Sequence, residues 1–270
     1  MAALTLAGCA ELGAPRNGFL PSEPGVTDKT ESIINHWSGA WVAALFVGVL
    51  VWGLMIWCIV AYRKRKNDNA LPVQLRYHIP LELMYTIVPI LMIGVLYFYT
   101  VQVNDEILDT TGEPDLEIQA YGKQWSWDFN YLTDGVYYEG GRMELTGEEG
   151  VEETLPTLYL PVGETVEFHV DSRDVIHSFW IPAFLFKIDM VPGYTNTFQV
   201  TPEEVGSYQG KCAELCGEFH SEMLFNVEVV ERDVYDAQMD ALREAGNVGQ
   251  LGEEYDRVYD QRGQNETRTN

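Results

Sequence analysis

The residues best equipped for chemistry crowd into one segment, Gly210-Lys-Cys212-Ala-Glu214-Leu-Cys216-Gly-Glu-Phe-His220-Ser-Glu-Met223. Two thiols, an imidazole and a thioether fall within twelve residues, a donor set suited to soft or borderline metals, above all copper and zinc. A second imidazole, His177, lies 35 residues upstream of Cys212 in Asp174-Val-Ile-His177-Ser-Phe-Trp-Ile-Pro182. Three chemistries compete. A disulfide between Cys212 and Cys216 suits an oxidising compartment, but gives His220 and Met223 no purpose. A tetrahedral zinc site from Cys212, Cys216, His220 and His177 is chemically sound, yet leaves the thioether idle. Copper in a β-sandwich employs every member: thiolates, imidazoles and a weak axial methionine. A mononuclear blue-copper site needs one cysteine, so a second raises the count to two metals bridged by two sulfurs.

The elements that must position these donors read as strands. Between Leu116 and Val230 short strand-like runs alternate with turn signals such as Pro161-Val162-Gly163, Pro192-Gly193 and Pro202. Residues 165–170, 196–200 and 223–230 are strand candidates. Over 117–131 the chain alternates, placing Tyr121, Lys123, Trp125, Trp127, Phe129 and Tyr131 on one face. Many short strands at this spacing predict an all-β sandwich or barrel. Residues 133–153 are rich in Gly and Glu and read as a loop or insertion. A polar surface helix is expected over 233–244, and the polar last twenty-odd residues are expected to be disordered.

Upstream of this domain the composition changes. Residues 37–62 run for 26 positions, and residues 83–103 for 21, without a charged side chain. Each run exceeds the roughly 20 apolar residues that cross a hydrocarbon core as a helix. Trp37, Trp41, Trp52, Trp57 and Tyr62 resemble interfacial belts, and Pro89 and Gly94 are tolerated in such helices. The connecting loop holds Arg63-Lys64-Arg65-Lys66 and Arg76, five of the chain's 17 bases. The positive-inside rule puts this loop in the cytoplasm. Both termini and the β domain are then expected on the outer face of a bacterial cytoplasmic membrane. Leu6-Ala7-Gly8-Cys9 resembles a bacterial lipobox, which makes Cys9 the expected lipidation site. Cys58, inside the first apolar run, reads as an apolar filler.

The chain carries 41 acidic and 17 basic residues, for a net charge of −24. That balance excludes recognition of nucleic acid through bulk electrostatics. The charge is unevenly placed: residues 1–103 hold 6 acids and 7 bases, and residues 104–270 hold 35 and 10. The chain therefore divides into residues 1–36, an N-terminal segment and outer-face tether; 37–103, a transmembrane hairpin; 104–231, the β domain; and 232–270, the surface helix and tail.

The pattern Cys212-x-Glu214-x-Cys216-x3-His220-x2-Met223, with His177-Ser-Phe-Trp-x-Pro182 upstream, resembles the CuA site of cytochrome c oxidase subunit II. The resemblance covers about residues 30–245, both apolar runs included. It implies a two-helix transmembrane hairpin followed by an all-β, cupredoxin-like sandwich domain. By this resemblance Cys212 and Cys216 bridge two coppers, His177 and His220 ligate one copper each, and Met223 and the Glu214 carbonyl are weak ligands. The Glu214 carboxylate is similar to one that ligates a Mg2+ shared with subunit I. Trp125, in Tyr121-Gly-Lys-Gln-Trp125-Ser-Trp127, corresponds to the aromatic that receives electrons from cytochrome c, and Trp127 reads as packing. Glu82, in Pro80-Leu-Glu82, resembles the glutamate at the mouth of a proton pathway.

Asp174 matches a position implicated in docking cytochrome c. Where the family often has a docking Glu, this chain has Asn130, and nearby Asp128 is the expected substitute. The implied activity is that of an aa3-type oxidase. Electrons pass from cytochrome c, soluble or tethered in a cytochrome bc complex, through CuA to haem in subunit I. Oxygen is reduced there and protons are pumped. Subunit I, further oxidase subunits and membrane lipid are the implied partners. The alternatives are the CuA subunit of a nitric-oxide-reducing relative and a membrane-anchored copper carrier. His36, His78 and His169 stand outside the ligand pattern and read as interfacial or structural.

Overall fold

The computed structural model describes residues 19–64, 74–142, 145–147 and 150–256. Cys9, Arg65 and Lys66 lie outside the described residues, as does the tail beyond 256. The chain separates into two compact units. One is helical, Ser32–Asp105; the other joins Leu20–Glu31 to the chain from Glu106 onward.

The helical unit contains α1, Thr30–Ala61, and α2, Ile79–Ile107. Both extend beyond the uncharged runs, because polar groups can start a helix before apolar residues carry it. At the head of α1 the Thr30 hydroxyl accepts from Gly25 N–H and Thr27 N–H and donates to the Thr27 carbonyl at 2.8 Å. At the head of α2 the Glu82 carboxylate accepts from His78 N–H at 2.9 Å, satisfying one of the donors that a helix N-terminus leaves orphaned. Both helices are long and apolar enough to cross a membrane. Their side chains stand uncovered, with Trp52 66% and Phe46 71% exposed. A surface that apolar is costly in water and at home in hydrocarbon. Within this unit the His36 ring bonds the Thr100 hydroxyl at 3.1 Å.

The β unit is a sandwich of two five-stranded sheets. Its strands are β1 (Leu116–Lys123), β2 (Ser126–Tyr131), β3 (Val136–Glu139), β4 (Thr157–Pro161), β5 (Val166–Ser172), β6 (His177–Ile181), β7 (Phe186–Met190), β8 (Asn196–Val200), β9 (Gly206–Cys212) and β10 (Leu224–Val230). One sheet runs β3-β2-β1-β5-β8 and the other β4-β10-β9-β6-β7. The pairs β1/β5 and β4/β10 are parallel. Between the sheets lies an aromatic core in which Trp127, Phe129, Phe168, Phe179 and Phe225 are fully buried. This is the cupredoxin-like sandwich expected from the sequence, preceded by the expected pair of long helices.

The alternating stretch 117–131 is a hairpin rather than one continuous strand. β1 and β2 pair antiparallel with Lys123 opposite Ser126, so Gln124 and Trp125 form the turn. Beyond a two-residue turn the face of every later side chain must be reassigned. Tyr121 therefore sits opposite Asp128, and Trp127 opposite Gly122. Trp127, Phe129 and Tyr131 point into the core, whereas Tyr121, Asp128 and Asn130 share the other face.

That other face is covered by the chain's own C-terminal segment. After α3 (Arg232–Glu244), whose Tyr235 and Met239 anchor it by one buried stripe, residues 247–256 cross the first sheet. Tyr137 N–H donates to the Asn247 carbonyl at 3.1 Å and Gly249 N–H to the Gly135 carbonyl at 2.9 Å. Leu251 is 2% exposed. The polarity that predicted disorder here is offset by buried partners on β2 and β5. Leu20–Glu31 packs on the sandwich as well: Val26 and Thr27 are buried, and Thr201 N–H donates to the Asp28 carboxylate at 2.9 Å.

Candidate metal centre

Three strands and one loop meet at an end of the sandwich. His177 opens β6 with its ring buried against Gly122 of β1, where a Cβ would approach within 3.0 Å of the imidazole. Any larger residue there would push the imidazole by a few tenths of an ångström. Cys212 closes β9 opposite Phe179. Cys216 and His220 lie on the following loop, and Met223 directly precedes β10. The loop is cinched at its base, since Cys212 N–H donates to the Met223 carbonyl at 3.0 Å. It is tied sideways by Ala213 N–H to the Ser178 carbonyl at 3.1 Å. Trp127 packs beneath, its indole N–H 3.4 Å from the Met223 carbonyl.

These ties gather six donor atoms along the two thiols. The two Sγ atoms are 3.9 Å apart. His177 Nδ1 lies 3.8 Å from Cys212 Sγ, and His220 Nδ1 lies 3.6 Å from Cys216 Sγ. Met223 Sδ is 3.8 Å from Cys216 Sγ, and the Glu214 carbonyl is 3.2 Å from Cys212 Sγ. His177, Cys212 and Cys216 form a buried group able to hold a metal ion. The remaining ring nitrogen of His177 bonds the Asp174 carboxylate at 2.8 Å, the arrangement that fixes a ligating imidazole's tautomer and orientation.

The titration behaviour is that of a place built for positive charge. Burial opposes ionisation of Cys212, but the His177 imidazole outweighs it and the thiol is held down at about 7. Burial pushes Cys216 the other way, reinforced by repulsion from Cys212. Cys212 is therefore the readier thiolate, and a bound cation would favour ionisation of both thiols. Burial lowers His177, and the Asp174 and Cys212 contacts more than restore it, so its value is raised. Burial raises Asp174, and its bonds to His177, Gln124 N–H and Val175 N–H bring it below the ordinary carboxylate range. Two thiols, two imidazoles and a thioether are soft and borderline donors that fit copper; zinc would leave the thioether without a role.

Trp125 sits at the β1–β2 tip, half-buried beside this loop, whereas Trp127 is fully buried. Glu214 is exposed at the loop's outer edge. Glu82 belongs to the helical unit and caps α2. His169 is remote from the centre and faces Glu167 at 3.3 Å and Glu117 at 3.7 Å.

Two expectations are corrected. Asp128 is no surface docking acid: its side chain is 2% exposed and engaged by Arg173 at 2.9 Å and Lys123 at 2.7 Å. A carboxylate cannot be buried in a strand without such partners. Asp174 has a side chain 6% exposed and turned towards His177, so it supports that imidazole instead of facing a partner protein. Asn130, at the family's docking position, is wholly buried and clasps Leu251, accepting its N–H and donating to its carbonyl, both at 3.0 Å. Arg173 was not singled out by sequence. It is 2% exposed, with Nη1 donating to the Gly252 carbonyl and Asp256, Nη2 to the Leu251 carbonyl, and the guanidinium lying over Tyr121. The available signal was a charged residue, Asp128, in the middle of an aromatic strand.

A pair of long apolar helices followed by a two-sheet sandwich with a His/Cys/Cys centre defines a membrane-anchored, cupredoxin-type metalloprotein. Residues 116–230 match the family model of the cytochrome c oxidase subunit II periplasmic domain. The chain is 40% identical to the "Probable cytochrome c oxidase subunit 2" of Streptomyces avermitilis, over 91% of this chain and 85% of that protein. It is 35% identical to the "Cytochrome c oxidase subunit 2" of Mycobacterium tuberculosis, over 88% and 78% respectively. Among solved structures, the periplasmic domain of subunit II of cytochrome oxidase from Bradyrhizobium japonicum aligns with a TM-score of 0.46 at 30% identity, covering 50% of this chain and 99% of that one. The chain belongs to the cytochrome c oxidase subunit 2 family. It is therefore a subunit of a haem-copper oxidase complex, with two candidate membrane spans and a centre that fits copper.

Proposed function

We propose that this chain is the electron-accepting subunit of an aa3-type cytochrome c oxidase. It takes electrons singly from cytochrome c and delivers them to haem in subunit I, where oxygen is reduced to water and protons are pumped. The observation that carries this reading is the set of donors gathered on two buried thiols 3.9 Å apart, an imidazole on each and a thioether on Cys216. Cys212, Cys216, His177, His220, Met223 and the Glu214 carbonyl would hold a pair of coppers, which when bound would supply one-electron chemistry. The protein holds the donors in fixed positions and keeps water away, so reorganisation is small.

The other roles follow from placement. Asp174 orients His177 and favours its ligating form. Trp125, at the tip beside Gly217, receives the electron. The exposed Glu214 carboxylate is offered to a Mg2+ shared with subunit I, hard oxygen suiting that ion. Glu82 stands at the start of α2, where a carboxylate at a span's edge can pass protons inward. Five bases in the interhelical loop argue for a cytoplasmic loop, and so for both termini and the β unit on the outer face of the bacterial membrane. Cys9 would then be lipidated. The surplus of 25 negative charges after residue 103 steers a basic cytochrome c by long-range attraction.

The test is purification of the intact membrane complex with its companion chains. Two coppers in this subunit, a mixed-valence dinuclear spectrum and an oxygen-consuming haem partner are expected. One zinc in place of two coppers, or a companion that reduces nitric oxide and no oxygen, would overturn the reading.

A further inference from the structure

The loop between Cys216 and His220 carries an aromatic side chain that the functions above do not use. The ring of Phe219 meets the Trp125 indole edge-on, with centroids 4.8 Å apart and planes at 75°. The guanidinium of Arg142 lies 3.4 Å over the centre of the Phe219 ring and 4.0 Å from the Glu222 carboxylate of the same loop. On its other flank the indole rests on Gly217, where a Cβ would come within 3.0 Å of Cζ2. Gly217 has φ +130°, which also favours glycine. Beside it, the Gln124 side-chain amide donates to the Cys216 carbonyl at 2.8 Å.

Trp125 Nε1 is closed off from solvent and has no hydrogen-bond partner among the described residues. No polar tie of its own therefore sets the angle of the indole. Its orientation comes from Phe219 on one side and the Gly217 backbone on the other. A ring serving only as core would be buried, as Trp127 and Phe225 are. Phe219 is half-exposed and lies under an exposed arginine.

We propose that Phe219 is a second member of the electron-receiving surface. It is a positioning residue: pinned under Arg142, its ring meets the Trp125 indole edge-on and fixes the angle at which that indole meets the donor's haem edge. One electron leaves the donor's haem iron and arrives at the metal centre; no bond is made or broken and no proton moves. The inference rests on the reading of Trp125 as the receiving residue and extends it to the loop that carries Cys216 and His220.

Stopped-flow reduction of the metal centre in the intact complex tests it, comparing cytochrome c with hexaammineruthenium(II), a small reductant that needs no docking platform. Phe219→Ala is expected to slow reduction by cytochrome c about tenfold, the scale of losing an aromatic hot spot. Its rate with the ruthenium complex and its visible spectrum should stay at the parent values. Phe219→Tyr, which keeps the ring, should restore the cytochrome c rate. Parent-like reduction of Phe219→Ala by cytochrome c would overturn the proposal, and so would equal slowing with both reductants, which marks a structural role. Trp125→Ala separates the two readings. Slowing there with a parent-like Phe219→Ala sinks only the positioning role of Phe219, whereas a parent-like Trp125→Ala sinks the role of Trp125 itself.

Discussion

The β unit contains two buried polar clusters, and they are built on opposite principles. Around Arg173, every charge finds its complement within the chain. Asp128 is answered by Arg173 and Lys123, and the guanidinium goes on to the carbonyls of Leu251 and Gly252 and to Asp256. Around Cys212, the donors meet one another only through long sulfur contacts of 3.6–3.9 Å, and the shorter bonds lie at the edge, from His177 to Asp174 at 2.8 Å and from Cys212 Sγ to the Glu214 carbonyl at 3.2 Å. A buried polar group left short of partners is costly, so a fold retains such an arrangement where something else completes it. The completed cluster belongs to the fold and the uncompleted one to a ligand.

This contrast can be broken from either side. The largest effect is expected at the open cluster, where Cys216→Ser removes one of the two sulfurs assigned to the copper centre. The complex should lose its dinuclear copper and with it electron uptake from cytochrome c. The thermal unfolding of the metal-free protein should change little, because the partners of Cys216 Sγ, namely Cys212, His220 and Met223, are all held at long 3.6–3.9 Å contacts. A large drop in metal-free stability would erase the distinction between the clusters.

The closed cluster should behave in the reverse manner. Arg173→Met leaves Asp128 with Lys123 and the Gly140 N–H, and leaves Gly252 and Asp256 without the guanidinium. Breaking a buried pair in this way costs about 3–5 kcal/mol, measurable by denaturant unfolding of the metal-free protein. The double variant Asp128→Leu/Arg173→Met should lose less than the sum of the two single changes, as contacting residues do. Additive losses would show that the pair is not a unit.

The smallest effect concerns the His177 edge of the open cluster. Asp174 is lowered from an ordinary value of 3.8 and His177 raised from 6.5. A depressed carboxylate contributes stability that is present above 3.8 and lost as pH falls through its folded value. A raised imidazole contributes stability that is complete below 6.5 and lost as pH rises through its folded value. The two contributions overlap between about pH 4 and 6.5. The metal-free protein should therefore be most favoured by this pair there, and Asp174→Asn should lower its melting temperature by a few degrees in that window. Equal lowering at pH 8 would mean that the contact does not act through charge.

Much of the site was legible before any fold was known. Cys212, Cys216, His220 and Met223 are close in sequence, and only soft metals make use of all three donor types. His177 needed the family pattern, because 35 residues separate it from Cys212 and spacing alone cannot bring them together. The two apolar runs announced themselves by length and lack of charge. What stayed hidden was the hairpin turn at Gln124-Trp125, which lacks the usual Gly, Pro, Asn or Asp signal at its two central positions.

By itself, then, the sequence determined the chemistry available here: a soft-donor set, a β framework and two spans long enough for a bilayer. Composition and short-range periodicity carry those properties, and both are local. Tertiary structure alone decided what each remaining polar residue is for. It placed Trp125 at an edge and Trp127 in the core, turned Asp174 inward to His177, and took Asp128 and Asn130 off the surface to hold a segment some 121 residues away from Asn130. Whether a carboxylate faces solvent or a buried guanidinium depends on which distant strand lies opposite, and no local pattern encodes that pairing.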